Sequence, residues 1–154
     1  PVPLMAQDDF VPKDLIIEQL TGDARPRGIL VEERPDPTGM SIGLRIGFEF
    51  DSTVLSQEAQ KQLDALLEAF LDPALQEYRF QIVGHTDGQG DAQYNRNLSY
   101  ERARSVMQYM VDRGVGPRRL VVVGKGEDEL LLPHAPTDAL NRRVEIVNDG
   151  TIDN

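Results

Sequence analysis

The sequence contains no cysteine. That removes thiol nucleophiles, disulfides and cysteine-ligated zinc together, and it leaves the compartment open, because an oxidising compartment permits disulfides without requiring them. Positive charge is scarce: 16 lysines and arginines face 26 aspartates and glutamates, a formal charge of −10. Such a chain has no basic surplus for a nucleic-acid backbone or for an anionic membrane surface. No apolar run approaches the ~20 residues that span a bilayer, so no membrane span is expected. The two histidines, His85 and His134, lie far apart and lack the spacing of a metal pair.

Enzyme signatures also fail. Gly88 to Gln93 begins like a dinucleotide-binding turn but lacks the third glycine, and there is no P-loop and no Gly-x-Ser-x-Gly elbow. Asp87, Gln89 and Asp91 open like a calcium loop, yet Ala92 stands at the glycine position and Leu98 at that of the bidentate glutamate. No metal, no cofactor and no catalysis are expected.

What is present suffices for a packed domain. Hydrophobic residues make up 40% of 154, enough for one core of about 100–150 residues with a short extension. Residues 1–40 hold six of the ten prolines and read as a partly ordered arm or linker. Within it Lys13 to Leu20 fits a short helix and Ile29 to Val31 a short strand. Residues 41–149 read as the domain proper, and 150–154 as a C-terminal tail.

From Ser41 the pattern sharpens. Ile42, Leu44, Ile46, Phe48 and Phe50 alternate with polar residues and glycine, the period of a half-buried strand. Ser56 suits a helix cap ahead of Leu63, Leu66 and Phe70 on one face, and Asp72-Pro73 ends that helix. Tyr78, Phe80 and Ile82 form a second strand. A second main helix carries Ala103, Val106, Met107 and Met110 and ends near Gly114. Leu120 to Val123 is a third strand, and Val144 and Ile146, extending towards Asn148, a fourth. The predicted fold is a two-layer α+β domain, β-α-β-α-β-β, with two main helices on one face of a small mixed sheet and the other face wet.

One segment singles itself out by charge. Ser99 suits an N-cap, which would put Arg102 in a first helical turn where the helix dipole disfavours a cation. Free N–H groups and a guanidinium there would receive a carboxylate. Asp87, at the tip of the preceding strand, would receive an ammonium. Together they read as a clamp for an amino-acid head group; the competing reading is a structural salt bridge between Asp87 and Arg102.

These residues also carry a resemblance. Gly84-His85-Thr86-Asp87, Tyr94-Asn95, Leu98-Ser99, Arg102-Ala103, Gly124-x-Gly126-Glu127 and Asn141-Arg142-Arg143-Val144-Glu145-Ile146, with Phe48-x-Phe50-Asp51-Ser52 before them, resemble the OmpA C-terminal-like, peptidoglycan-associated family. The likeness runs from about Leu44 to Val147. It implies non-catalytic binding of the peptidoglycan stem peptide through meso-diaminopimelate, in the periplasm, at the outer membrane or cell wall. It implies that Asp87 and Arg102 grip the ligand, helped by Asn95 and by a C-terminal arginine placed at Arg143, with Arg142 the alternative; Asp51 and Thr86 would line the same pocket. The chain departs from the family in the approach to Asn141, which is short, runs from Pro133 to Leu140 and lacks a Gly-Arg pair. An envelope protein meeting the N-terminal arm is the further partner considered, and a protein-interaction module without wall binding the alternative function.

Overall fold

The structure, a computed structural model, describes residues 10–23, 36–49 and 52–152. Helix α1 spans Lys13–Thr21, strand β1 Ser41–Leu44, α2 Gln57–Leu71, β2 Tyr78–His85, α3 Ala92–Asp112, β3 Leu120–Gly126 and β4 Arg143–Thr151. Single 3-10 turns precede β3 and β4. The sheet order is β1-β4-β2-β3, with β4 antiparallel to both neighbours and β2 parallel to β3. This is the predicted α+β arrangement, with α1 as a third helix. Among the described residues no helix is long and apolar enough to cross a membrane.

The helices pack on one face. Ile42, Leu44, Phe80, Ile82, Val144 and Ile146 turn towards them and are at most 5% exposed. From α2 come Leu63, Leu66 and Phe70, and from α3 Ala103, Val106 and Met110, all fully buried. Each of the larger side chains in this set contributes about 1.5–3 kcal/mol of burial, so this layer is the main force holding the sheet against its helices. Ile16 and Leu20 of α1 enter the same cluster. Asn148 of β4 donates to the Leu20 carbonyl at 3.0 Å, satisfying one of the open carbonyls at the end of α1.

Caps explain the helix limits. Ser56 Oγ accepts from Ala59 N at 3.2 Å and starts α2. The helix stops at Leu71, because the residue before Pro73 disfavours helical backbone. Behind this end sits Arg119, whose guanidinium donates to the carbonyls of Phe70, Leu75 and Tyr78 at 2.7, 2.6 and 3.2 Å. Burial lowers its pKa, while the negative end of the α2 dipole favours the cation.

Three sequence expectations are corrected. The first strand does not reach Phe48: pairing ends at Leu44 opposite Val144, since β4 begins at Arg143 and offers nothing further. Phe48 instead makes an isolated bridge to Leu55, and Phe50 lies outside the described residues, as does the strand expected at Ile29 to Val31. The second main helix begins at Ala92, capped by Asp91 accepting from Tyr94 N at 2.9 Å, so Ser99 lies in its interior and caps nothing. The far face of the sheet is not wholly wet either: Val83 and His85, on the central strand, are 2% and 5% exposed.

Glycines set the distance between α3 and the sheet. A Cβ on Gly84 would meet the Ser99 carbonyl oxygen at 2.2 Å, and one on Gly124 would meet Tyr100 at 2.6 Å. The helix therefore lies directly on the strand backbone, where no side chain fits.

Candidate functional site

A cleft of about 800 Å³ opens where β2 ends, between the loop after β1, the first turns of α2, the middle of α3 and the start of β4. Arg45, Lys61, Arg102, Arg142 and Arg143 line it, against three carboxylates, Glu49, Glu58 and Asp87. In a chain of charge −10 this is a local reversal of sign.

Asp87 lies two residues beyond the end of β2 and is 7% exposed. Its Oδ1 accepts from Gln89 N at 2.9 Å, closing an Asx turn that fixes the carboxylate. Its Oδ2 accepts from Arg142 Nη1 at 2.5 Å. The salt bridge thus exists, but with Arg142 rather than Arg102. The Arg142 side chain is 49% exposed, and pairs with such access to water contribute about 1 kcal/mol or less.

Arg102 projects from the middle of α3. Its guanidinium stacks over Phe48, 4.9 Å from the ring centroid, and Nε donates to the Ser52 carbonyl at 3.0 Å. The helix-dipole reason for singling it out fails, because eleven residues of α3 run from Ala92 to Arg102 and the dipole acts only in the first turn. Its place in the cleft comes instead from the stacking shelf that Phe48 provides.

Asn95 and Thr86 are buried behind the cleft at 6% and 5% exposure and hold its rim. Asn95 Nδ2 donates to the Gln89 carbonyl at 2.7 Å and to Glu127 Oε1 at 3.2 Å, joining the loop after β2 to the loop after β3. Thr86 N donates to the Gly126 carbonyl at 2.8 Å, and its hydroxyl donates to the Asp87 carbonyl at 3.0 Å. Ser99 Oγ accepts from Gly126 N at 2.8 Å, pinning α3 to the end of β3.

Arg143 lines the cleft but spends its donors on the chain, reaching the carbonyls of Asn141 at 3.1 Å and Glu129 at 3.2 Å. Burial lowers its pKa, and Glu145 and Glu129 oppose that effect. Asp51 lies outside the described residues. On the far face His85 Nε2 and Glu145 Oε1 meet at 3.1 Å, and this hydrogen bond holds the Glu145 carboxyl below the usual carboxylate range.

The short approach to β4 is built on Asn141, which is fully buried. Its side chain donates to the Ala135 and Pro136 carbonyls at 2.9 and 3.2 Å and accepts from Leu132 N at 2.7 Å. Pro136 O then accepts from Gly88 N at 2.6 Å. The wall beside Asp87 is therefore closed without a Gly-Arg pair. Sequence reading missed Arg45, Lys61 and the role of Asn141; a polar residue heading a run that contains two arginines is the signal that marks the last.

Fold and cleft together define a two-layer α+β domain with a charged cleft at the carboxyl end of β2. The chain belongs to the OmpA family, whose model matches residues 47–143. It is 33% identical over 119 residues to outer membrane protein A of Bordetella avium, covering 75% of this chain and 60% of that one. It is 33% identical over 116 residues to a peptidoglycan-associated lipoprotein of Rhizobium meliloti, covering 72% and 63%. The chain thus spans less than two thirds of either relative's length. The crystal structure of the peptidoglycan-associated lipoprotein from Burkholderia pseudomallei superposes with a TM-score of 0.57 at 28% identity, covering 67% of this chain and 87% of that one.

Proposed function

We propose that this domain binds peptidoglycan non-covalently, through the meso-diaminopimelate of the stem peptide, and so anchors an envelope protein to the cell wall. The observation that carries the reading is the cleft's excess of cations in an acidic chain, around one well-held carboxylate. Within the stem peptide the free end of the diaminopimelate carries one ammonium and one carboxylate, which suit Asp87 and the arginines around it, and local complementarity offsets the unfavourable net charge. The peptidoglycan-associated relatives support the same reading, and with it a working place in the periplasm beside the outer membrane or wall.

In this reading Arg102, already oriented by Phe48 and Ser52, receives a ligand carboxylate. The ligand ammonium takes the place of Arg142 on Asp87. The displaced guanidinium is half exposed, and it turns to the carboxylate of the same head group. One weak ion pair is exchanged for two better ones. Asn95 and Thr86 act as positioning residues, Arg143 holds the wall, and Asp51 keeps its proposed place at the pocket. Binding, rather than hydrolysis, is the proposed activity. An envelope partner recruited by the N-terminal arm would meet its exposed residues, because Ile16 and Leu20 are taken up by this domain's own core.

Co-sedimentation with purified peptidoglycan tests this. The wild type should pellet with the wall, and Arg102→Ala, with an unchanged circular dichroism spectrum, should stay in solution. Equal pelleting of the folded variant would remove the assignment.

A further inference from the structure

The cleft is larger than one head group. Pockets of about 300–1,000 Å³ enclose ligands of drug size, and a cleft of about 800 Å³ lies near the top of that range. Asp87, Arg102 and Arg142 line one part of it. The lining also includes Arg45, Ile46, Phe10 and Lys61, to which the reading above gives no contact with the head group.

Phe10 and Lys61 form a prepared surface. Gln62, itself 6% exposed, accepts from Val11 N and donates to Val11 O, both at 2.8 Å. This two-point bond fixes the chain on the α2 helix one residue from Phe10. Val11 is 3% exposed and seals the attachment, while Phe10 remains 42% exposed. The Lys61 ammonium sits 4.8 Å from the centre of the Phe10 ring. An exposed aromatic ring held by a buried amide, with an ammonium against it, is ordered for contact with a ligand that is both apolar and anionic.

We infer that Phe10 and Lys61 form a second subsite that receives the stem-peptide residue next to the diamino acid, its free carboxylate on Lys61 and its aliphatic carbons against Phe10. The inference rests on the proposed function: the head-group end must hold the diamino acid first. It extends that function from recognition of a single amino acid to recognition of a peptide. The first forty residues then contribute a wall of the site as well as a helix of the core.

Calorimetric titration of two probes separates the claims. One is free meso-diaminopimelate and the other the tripeptide L-Ala-γ-D-Glu-meso-diaminopimelate. The wild type should bind the tripeptide about tenfold more tightly, the effect of one additional charge-assisted contact. Lys61→Gln, at an exposed position, should lose that difference and keep its affinity for the free diamino acid; Phe10→Ala should narrow it. If Lys61→Gln binds the tripeptide as tightly as the wild type, the subsite is wrong while the head-group reading stands. If the folded wild type binds neither probe, the head-group reading falls and the subsite with it.

Discussion

Asp87 and Arg142 are joined across the mouth of the cleft, Oδ2 to Nη1 at 2.5 Å, and the two sides of this pair are unlike. Asp87 is buried and fixed by its own Asx turn, whereas half of the Arg142 side chain faces water. In the proposed reading the carboxylate is a fixed receptor and the guanidinium a replaceable occupant. A cation entering from solvent would meet a preformed site, and the group it displaces would turn to the rest of the same ligand.

The two adjacent arginines should therefore behave differently. Arg142→Ala should weaken binding of meso-diaminopimelate about tenfold, corresponding to about 1.4 kcal/mol, with little change in stability. Arg143→Ala should chiefly lower stability, because the carbonyls of Asn141 and Glu129 lose their donor. Calorimetry and thermal melts on both variants check this; the opposite pattern would make Arg143 the ligand arginine.

Gly84→Ala should destabilise the domain by about 3 kcal/mol or more, since the new Cβ would lie 2.2 Å from the Ser99 carbonyl oxygen and neither backbone can yield. Urea denaturation measures it. A loss under about 1 kcal/mol would mean that α3 does not sit on β2 as described.

That close approach also explains what was legible in the sequence and what was not. The apolar stripes of α2 and of the second half of α3 announced themselves by spacing, as did β2 and β4. The first half of α3 did not. It rests on glycine backbone, so its buried positions are Asn95 and Ser99 rather than leucine or valine. A polar stretch followed by Ser99 then imitates a helix beginning at Ser99. Strand β1 was overextended for a different reason: alternation reports which residues could pair, and pairing stops where the partner strand starts. In the cleft, Asp87 and Arg102 were found, but the Asp87–Arg142 pair joins residues 55 apart that no local pattern connects.

Stability should fall in acid through Glu145. Its hydrogen bond to His85 holds the folded-state pKa below the ordinary glutamate value of 4.5, so its contribution is present above about pH 4.5 and is lost as pH falls through the lower folded value. As pH falls below about 4.5 the unfolding free energy of the wild type should decline more steeply than that of Glu145→Gln. Urea midpoints at several pH values decide it; parallel curves would show that Glu145 carries no such linkage.

The central claim is that Asp87 is the ammonium receptor of a diaminopimelate site. Calorimetric titration of meso-diaminopimelate into the wild type and into Asp87→Asn tests it most directly. The account predicts saturable binding to the wild type and at least a tenfold loss in the folded variant, which keeps the side-chain shape and removes the charge. Equal binding by both proteins, or no binding by a folded wild type, would contradict it.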